Sequence, residues 1–94
     1  MAITRINEFH AAPGRADALH AFLASVLSLI RGADGCRSVE LFVGYDDAAH
    51  LAIIEVWDSV EAHKAAASRV PPAKLAEVLP LLAEPPKGRY YHNA

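Results

Sequence analysis

Three residues of this 94-residue chain join a chemistry-bearing side chain to a position that should turn it inward: His63, Asn7 and Trp57. His63 shares a helical face with Val60 and Ala67, so in a helix lying on a sheet it points toward the sheet. An imidazole under an apolar roof has its charged form disfavoured and can serve as a general base near neutral pH. The same position also suits a half-buried histidine with one hydrogen bond. Asn7 sits in the middle of a strand-like segment and shares a face with Ile3 and Phe9. If that face is covered, its amide needs a partner, in the sheet or in a pocket. Trp57 is the only tryptophan and ends an apolar strand just before a helix start. It can wall a pocket for a flat apolar ligand, or fill the core.

The remaining candidates say less. His10, His20, His50 and His92 show no metal-ligand spacing, and no acidic residue completes one, so no metal is expected. Gly32 and Gly35 leave a helix rather than enter one, which is wrong for a phosphate-cradling loop. No spacing gives a serine both a base and an orienting acid. The single cysteine, Cys36, excludes an intrachain disulfide framework and suits a reducing cytoplasm. Glu55 is expected to pair across a sheet with Arg5, Arg37 or Arg89; an inward Arg89 would instead bind a phenolate.

The elements that must position these groups follow from hydrophobic period. Residues 2–10 alternate as a first strand, and Pro13-Gly14 breaks it. From Arg15 to about Arg31, Ala16, Leu19, Leu23, Val26 and Ile30 recur at helical spacing, flanked by Phe22, Leu27 and Leu29. Cys36 to Tyr45 is a second strand, Asp46-Asp47 a hairpin-type turn, and His50–Trp57 a third strand that is apolar on both faces. Asp58 as N-cap would put Glu61 at the third position of a second helix, Ser59 to Arg69, alanine-rich and therefore closely packed. Pro71-Pro72 separates it from a short helix, Ala73 to Leu79, which Pro80 ends. Lys87 to His92 is the last strand. The order β-α-β-β-α-β predicts an α+β, ferredoxin-like unit, with an antiparallel four-stranded sheet carrying its helices on one face.

Length and composition bound the rest. Residues 1–94 make one domain, which buries only about 60–65% of its unfolded surface. At 53% hydrophobic and 21% charged, the chain has more apolar surface than one helix layer covers, so a homodimer through the helix-free sheet face is expected. A net charge of −2 without a Lys/Arg cluster speaks against nucleic acid and anionic membranes as partners. Polar residues interrupt the amino terminus before a signal sequence could form, and the longest apolar stretch, Phe22 to Ile30, is too short to span a bilayer. A cytoplasmic protein is expected.

Pro13-Gly14 before an amphipathic helix, Gly35-Cys36, the acidic turn Asp46-Asp47, and Glu55-x-Trp57-x-Ser59-x-Glu61-Ala62 together resemble the antibiotic biosynthesis monooxygenase (ABM) domain family over nearly the whole chain. The resemblance implies a dimeric α+β barrel with a pocket in each subunit between sheet and helices. It also implies a cofactor-independent monooxygenase acting on a quinol or polyketide-type phenol, with no cofactor of its own. Positions at which the haem-degrading branch carries function hold Ala66 and Leu75 here, and leucine cannot ligate iron. In the enzyme reading His63 and Asn7 are catalytic, as base and hydrogen-bond partner, while Trp57, Phe22 and Arg89 bind a small aromatic substrate. The alternative is a non-catalytic small-molecule binder or regulator on the same fold. A third possibility, a dimerisation module, predicts a filled interior.

Overall fold

The protein is described by a computed structural model covering residues 2–94. Its elements are β1 (Ile3–His10), α1 (Ala16–Arg31), β2 (Cys36–Val43), β3 (His50–Trp57), α2 (Val60–Ala67), α3 (Pro72–Val78), a 3-10 turn (Leu79–Leu81) and β4 (Lys87–Tyr91). The strands form one antiparallel sheet in the order β2-β3-β1-β4, which is the ferredoxin-like arrangement that the element order predicts.

The register decides what each face carries, because directly opposed residues point the same way. Ile3, Arg5, Asn7 and Phe9 of β1 oppose Trp57, Glu55, Ile53 and Leu51 of β3. Val39 and Leu41 of β2, and Tyr90 of β4, join this helix-covered face. Phe9, Val39, Leu51 and Ile53 are buried there in one cluster with Leu19 and Leu23 of α1, and Trp57 is buried at the end of β3. Glu55, 6% exposed, is the one charged residue buried among the described residues. The opposite face carries Ile6, Ile54, Val56, Phe42, Arg89 and Tyr91, with Phe42 and Tyr91 each 46% exposed.

Local chemistry sets the boundaries. Gly32 closes α1 by donating its N–H to Ser28 at 3.0 Å. Gly35, at φ +85°, turns the chain into β2 in a conformation that costs glycine little. The β2–β3 hairpin closes through the Gly44 N–H to the His50 carbonyl, 2.7 Å, and the Asp47 carboxylate accepting from the Ala49 N–H, 3.0 Å. The expected cap of α2 needs correction. Ser59, not Asp58, is the N-cap, and its hydroxyl accepts from the Ala62 N–H at 3.1 Å. Arg37 has taken the Asp58 carboxylate at 2.6 Å.

A second correction concerns packing. The alanine-rich α2 is not closely packed on the sheet; none of its residues is buried. Methyl side chains do not reach the strands beneath, and the helix stands over open space.

Candidate functional site

That space is a cavity of about 760 Å³. Ligand pockets commonly measure about 300–1,000 Å³. Leu29 and Ile30 at the end of α1, the turn 32–35, Glu55 and Trp57 at the end of β3, and the inner side of α2 line it, together with Arg69, Val70, Pro71 and Lys74, and it is partly open to solvent. Ala62, Ala65, Ala66 and Ala67 form its roof, and short side chains are what leave it open. Gly35 brings the turn under α2: a β-carbon there would lie 2.7 Å from that of Ala62.

Glu55, Trp57 and His63 of the lining are linked in one chain of contacts that continues behind the cavity wall to Tyr90 and Arg5. Trp57 Nε1–H donates to Glu55 Oε1 at 2.7 Å, an i,i+2 pair on one strand face. The same Oε1 lies 3.9 Å from His63 Nε2. The other imidazole nitrogen, Nδ1, is 2.6 Å from the Tyr90 hydroxyl. His63 meets Trp57 and Tyr90 edge to face, with centroids 5.4 and 5.3 Å away. Arg5 lies with its guanidinium over the Tyr90 ring, 4.8 Å from the centroid, and its Nε is buried without a hydrogen-bond partner. Gly88 makes this possible, because a β-carbon there would collide with the guanidinium.

Burial governs the ionisation of this cluster. It pushes the Glu55 carboxyl above its ordinary range, against the Trp57 hydrogen bond and the Arg5 charge, which pull it down. It pushes the His63 imidazole below its ordinary value, and Arg5 adds to the depression. Both effects favour the uncharged imidazole at neutral pH, on the wall of a mainly apolar cavity. Such a group can accept a proton from a weakly acidic ligand.

The structure brings two of the five residues expected in the site to the cavity, Trp57 and His63. Asn7 is half-buried on the same sheet face, between Ile53 and Gly88, but does not line the space. Phe22 packs against the core cluster, with the Lys74 ammonium 5.9 Å from its ring centre. Arg89 opposes Ile6 on the other side of the sheet and is exposed, so it cannot meet a ligand held against Trp57. None of Arg5, Arg37 and Arg89 closes an ion pair with Glu55 among the described residues. Tyr90, Arg5 and Glu55 are the site groups that pattern reading missed. The Glu55-x-Trp57 spacing could have flagged the carboxylate, whereas Tyr90 needed the β1–β4 register. Ala66 lines the cavity and Leu75 is exposed. No cluster of three or more His, Cys, Asp or Glu suited to a metal occurs among the described residues.

The family model described as antibiotic biosynthesis monooxygenase matches residues 2–70, and the chain belongs to that family. Among solved structures, Rv0793 from Mycobacterium tuberculosis is similar at 27% identity and a TM-score of 0.83, over 100% of this chain and 96% of that one. PA3566 from Pseudomonas aeruginosa is similar at 25% identity and 0.87, over 99% and 95%. SnoaB, a cofactor-independent oxygenase from Streptomyces nogalater, shares the fold at 17% identity and 0.79, over 98% and 92%. No curated protein matches the chain.

Proposed function

We propose that the chain is a cofactor-independent monooxygenase of a small electron-rich aromatic, a quinol or polyketide-type phenol, bound in the cavity against Trp57. The observation that carries this reading is His63, its charged form disfavoured by burial, on the wall of a mainly apolar cavity. A phenolate is its own reductant for dioxygen, so the protein needs to supply a base, a dry pocket and orientation. His63 Nε2 takes the phenol proton. The phenolate delivers electrons to dioxygen; one oxygen atom enters the ring, and the other leaves as water with two hydrogens from the quinol. Family membership supports the reaction class, and the mainly apolar lining supports an aromatic substrate.

The test is oxygen uptake with a naphthohydroquinone. Uptake should rise with pH through the depressed His63 pKa, below the ordinary 6.5, and level off once the imidazole is neutral. His63→Ala should lower it by about a hundredfold. A rate independent of His63 would contradict the assignment. One observation favours a non-catalytic binder: Asn7 and Arg89 stay out of the cavity, so the oxyanion donors expected from them are missing. Quenching of Trp57 by a planar aromatic, without oxygen uptake, would select that reading.

The proposal extends to assembly and place. Ile6, Phe42, Ile54, Val56 and Tyr91 form an apolar strip on the face with no helix over it, bordered by Glu8, Glu40, Lys87 and Arg89, and a second copy of the chain is its proposed cover. The interface should be of the obligate class, about 2,000 Å² or more in total. Sedimentation equilibrium should show a dimer at micromolar concentration; a stable folded monomer would refute it. No helix among the described residues is long and apolar enough to cross a membrane. A cytoplasmic location is proposed from the single unpaired cysteine.

A further inference from the structure

A neutral imidazole has one N–H and one lone pair, and only the lone pair can take a proton. Which nitrogen of His63 faces the cavity unprotonated therefore decides whether the residue can act as a base. Two contacts bear on it. Nδ1 lies 2.6 Å from the Tyr90 hydroxyl, well within hydrogen-bond range. Nε2 lies 3.9 Å from Glu55 Oε1, beyond that range, and this oxygen already accepts from Trp57 at 2.7 Å. A proton on Nε2 would leave a largely buried donor without a protein acceptor, while a proton on Nδ1 has one ready.

We propose that Tyr90 is a positioning residue: its oxygen accepts from His63 Nδ1–H, which fixes the imidazole in the tautomer that turns the Nε2 lone pair toward the cavity. The inference rests on the oxygenase reading for its catalytic consequence, but the tautomer itself is a property of the resting protein. Tyr90 is in turn held from behind. The Arg5 guanidinium covers its ring, and Gly88 supplies the room for that guanidinium. The charged and titratable groups facing the imidazole thus come from three strands: Arg5 from β1, Glu55 from β3 and Tyr90 from β4. When Nε2 gains the substrate proton, the charge it creates lies 3.9 Å from the Glu55 carboxyl, the nearest acidic group, without a hydrogen bond between them. The buried Trp57 is tied to that same carboxyl, so the core and the base share one anchor.

The experiment is long-range proton–nitrogen NMR of the imidazoles at neutral pH, with His63 assigned by the signal missing in His63→Ala. The wild-type protein should show the Nδ1–H form. Tyr90→Phe should shift the population toward Nε2–H and lower kcat by about tenfold, with KM changed little. An Nε2–H form in the wild type overturns the proposal, as does a Tyr90→Phe variant with unchanged tautomer and kcat. If Tyr90→Phe does not fold, the wild-type tautomer still decides. Failure of the oxygenase reading looks different: the Nδ1–H form is present and shifts in Tyr90→Phe, but no phenol drives oxygen uptake.

Discussion

β3 runs from one histidine–carboxylate cluster to another, and the two behave differently. At its start His50 stacks on His10, with centroids 5.5 Å apart and planes 20° from parallel. His50 contacts Glu8 at 2.9 Å, and His10 contacts Glu84 at 3.3 Å and Asp47 at 3.5 Å. At its end His63 faces Glu55 at 3.9 Å. Distance alone would place the chemistry at the first cluster. Exposure reverses that choice: the His10 and His50 side chains are each 44% exposed, against 15% for His63 and 7% for Glu55. Solvent screens the short contacts, and exposed pairs of this kind are worth about 0–1 kcal/mol. The longer contact is buried, and there burial moves both groups away from their ordinary ionisation. Burial, more than proximity, turns a histidine beside a carboxylate into a candidate base.

The largest effect that would sharpen this contrast concerns the tryptophan. Trp57→Ala should cost about 3–5 kcal/mol in chemical denaturation, since it removes a fully buried ring and frees the Glu55 oxygen it binds. A loss below about 1 kcal/mol would mean that the cavity end does not anchor the fold.

Next comes Glu55→Gln, which keeps a carbonyl acceptor for the Trp57 N–H and removes the charge. The folded-state pKa of Glu55 is raised, so its favourable contribution is complete below the ordinary 4.5 and is lost as pH climbs through the folded value. Glu55→Gln should therefore gain in melting temperature relative to wild type as pH rises from mildly acidic to neutral. A variant that loses ground over that interval would show that the carboxylate is stabilised where it lies.

The smallest effect is expected at the exposed cluster. His50→Ala should change stability by less than about 1 kcal/mol and leave oxygen uptake unchanged. A large loss of activity would move the site to the wrong end of the strand.

Much of this contrast was legible in the sequence, and the rest was not for physical reasons. The alternation from His50 to Trp57, the glycines after α1 and the acidic turn are local signals, and they gave the sheet. The cap of α2 was misplaced because Asp58 and Ser59 are both good cap residues; Arg37, 21 positions away, decides between them. The alanines of α2 are compatible with tight packing and with a gap, and only the seating of the helix distinguishes the two. Tyr90 and Arg89 are neighbours in a five-residue strand, so a one-residue choice of register exchanges an inward phenol for an inward guanidinium. No local pattern encodes that choice. The family resemblance pointed to the fold and a pocket but not to the groups that tune His63, which come from three strands.

The most direct test of burial as the deciding factor is an NMR titration of the histidine ring protons in the intact protein, with His63→Ala to assign the signal. His63 should titrate below the ordinary value of 6.5, the direction that desolvation and Arg5 impose. A midpoint at or above 6.5 would show that the Glu55 carboxylate outweighs burial, and that His63 enters neutral pH as a partly charged member of an ion pair rather than as a free base.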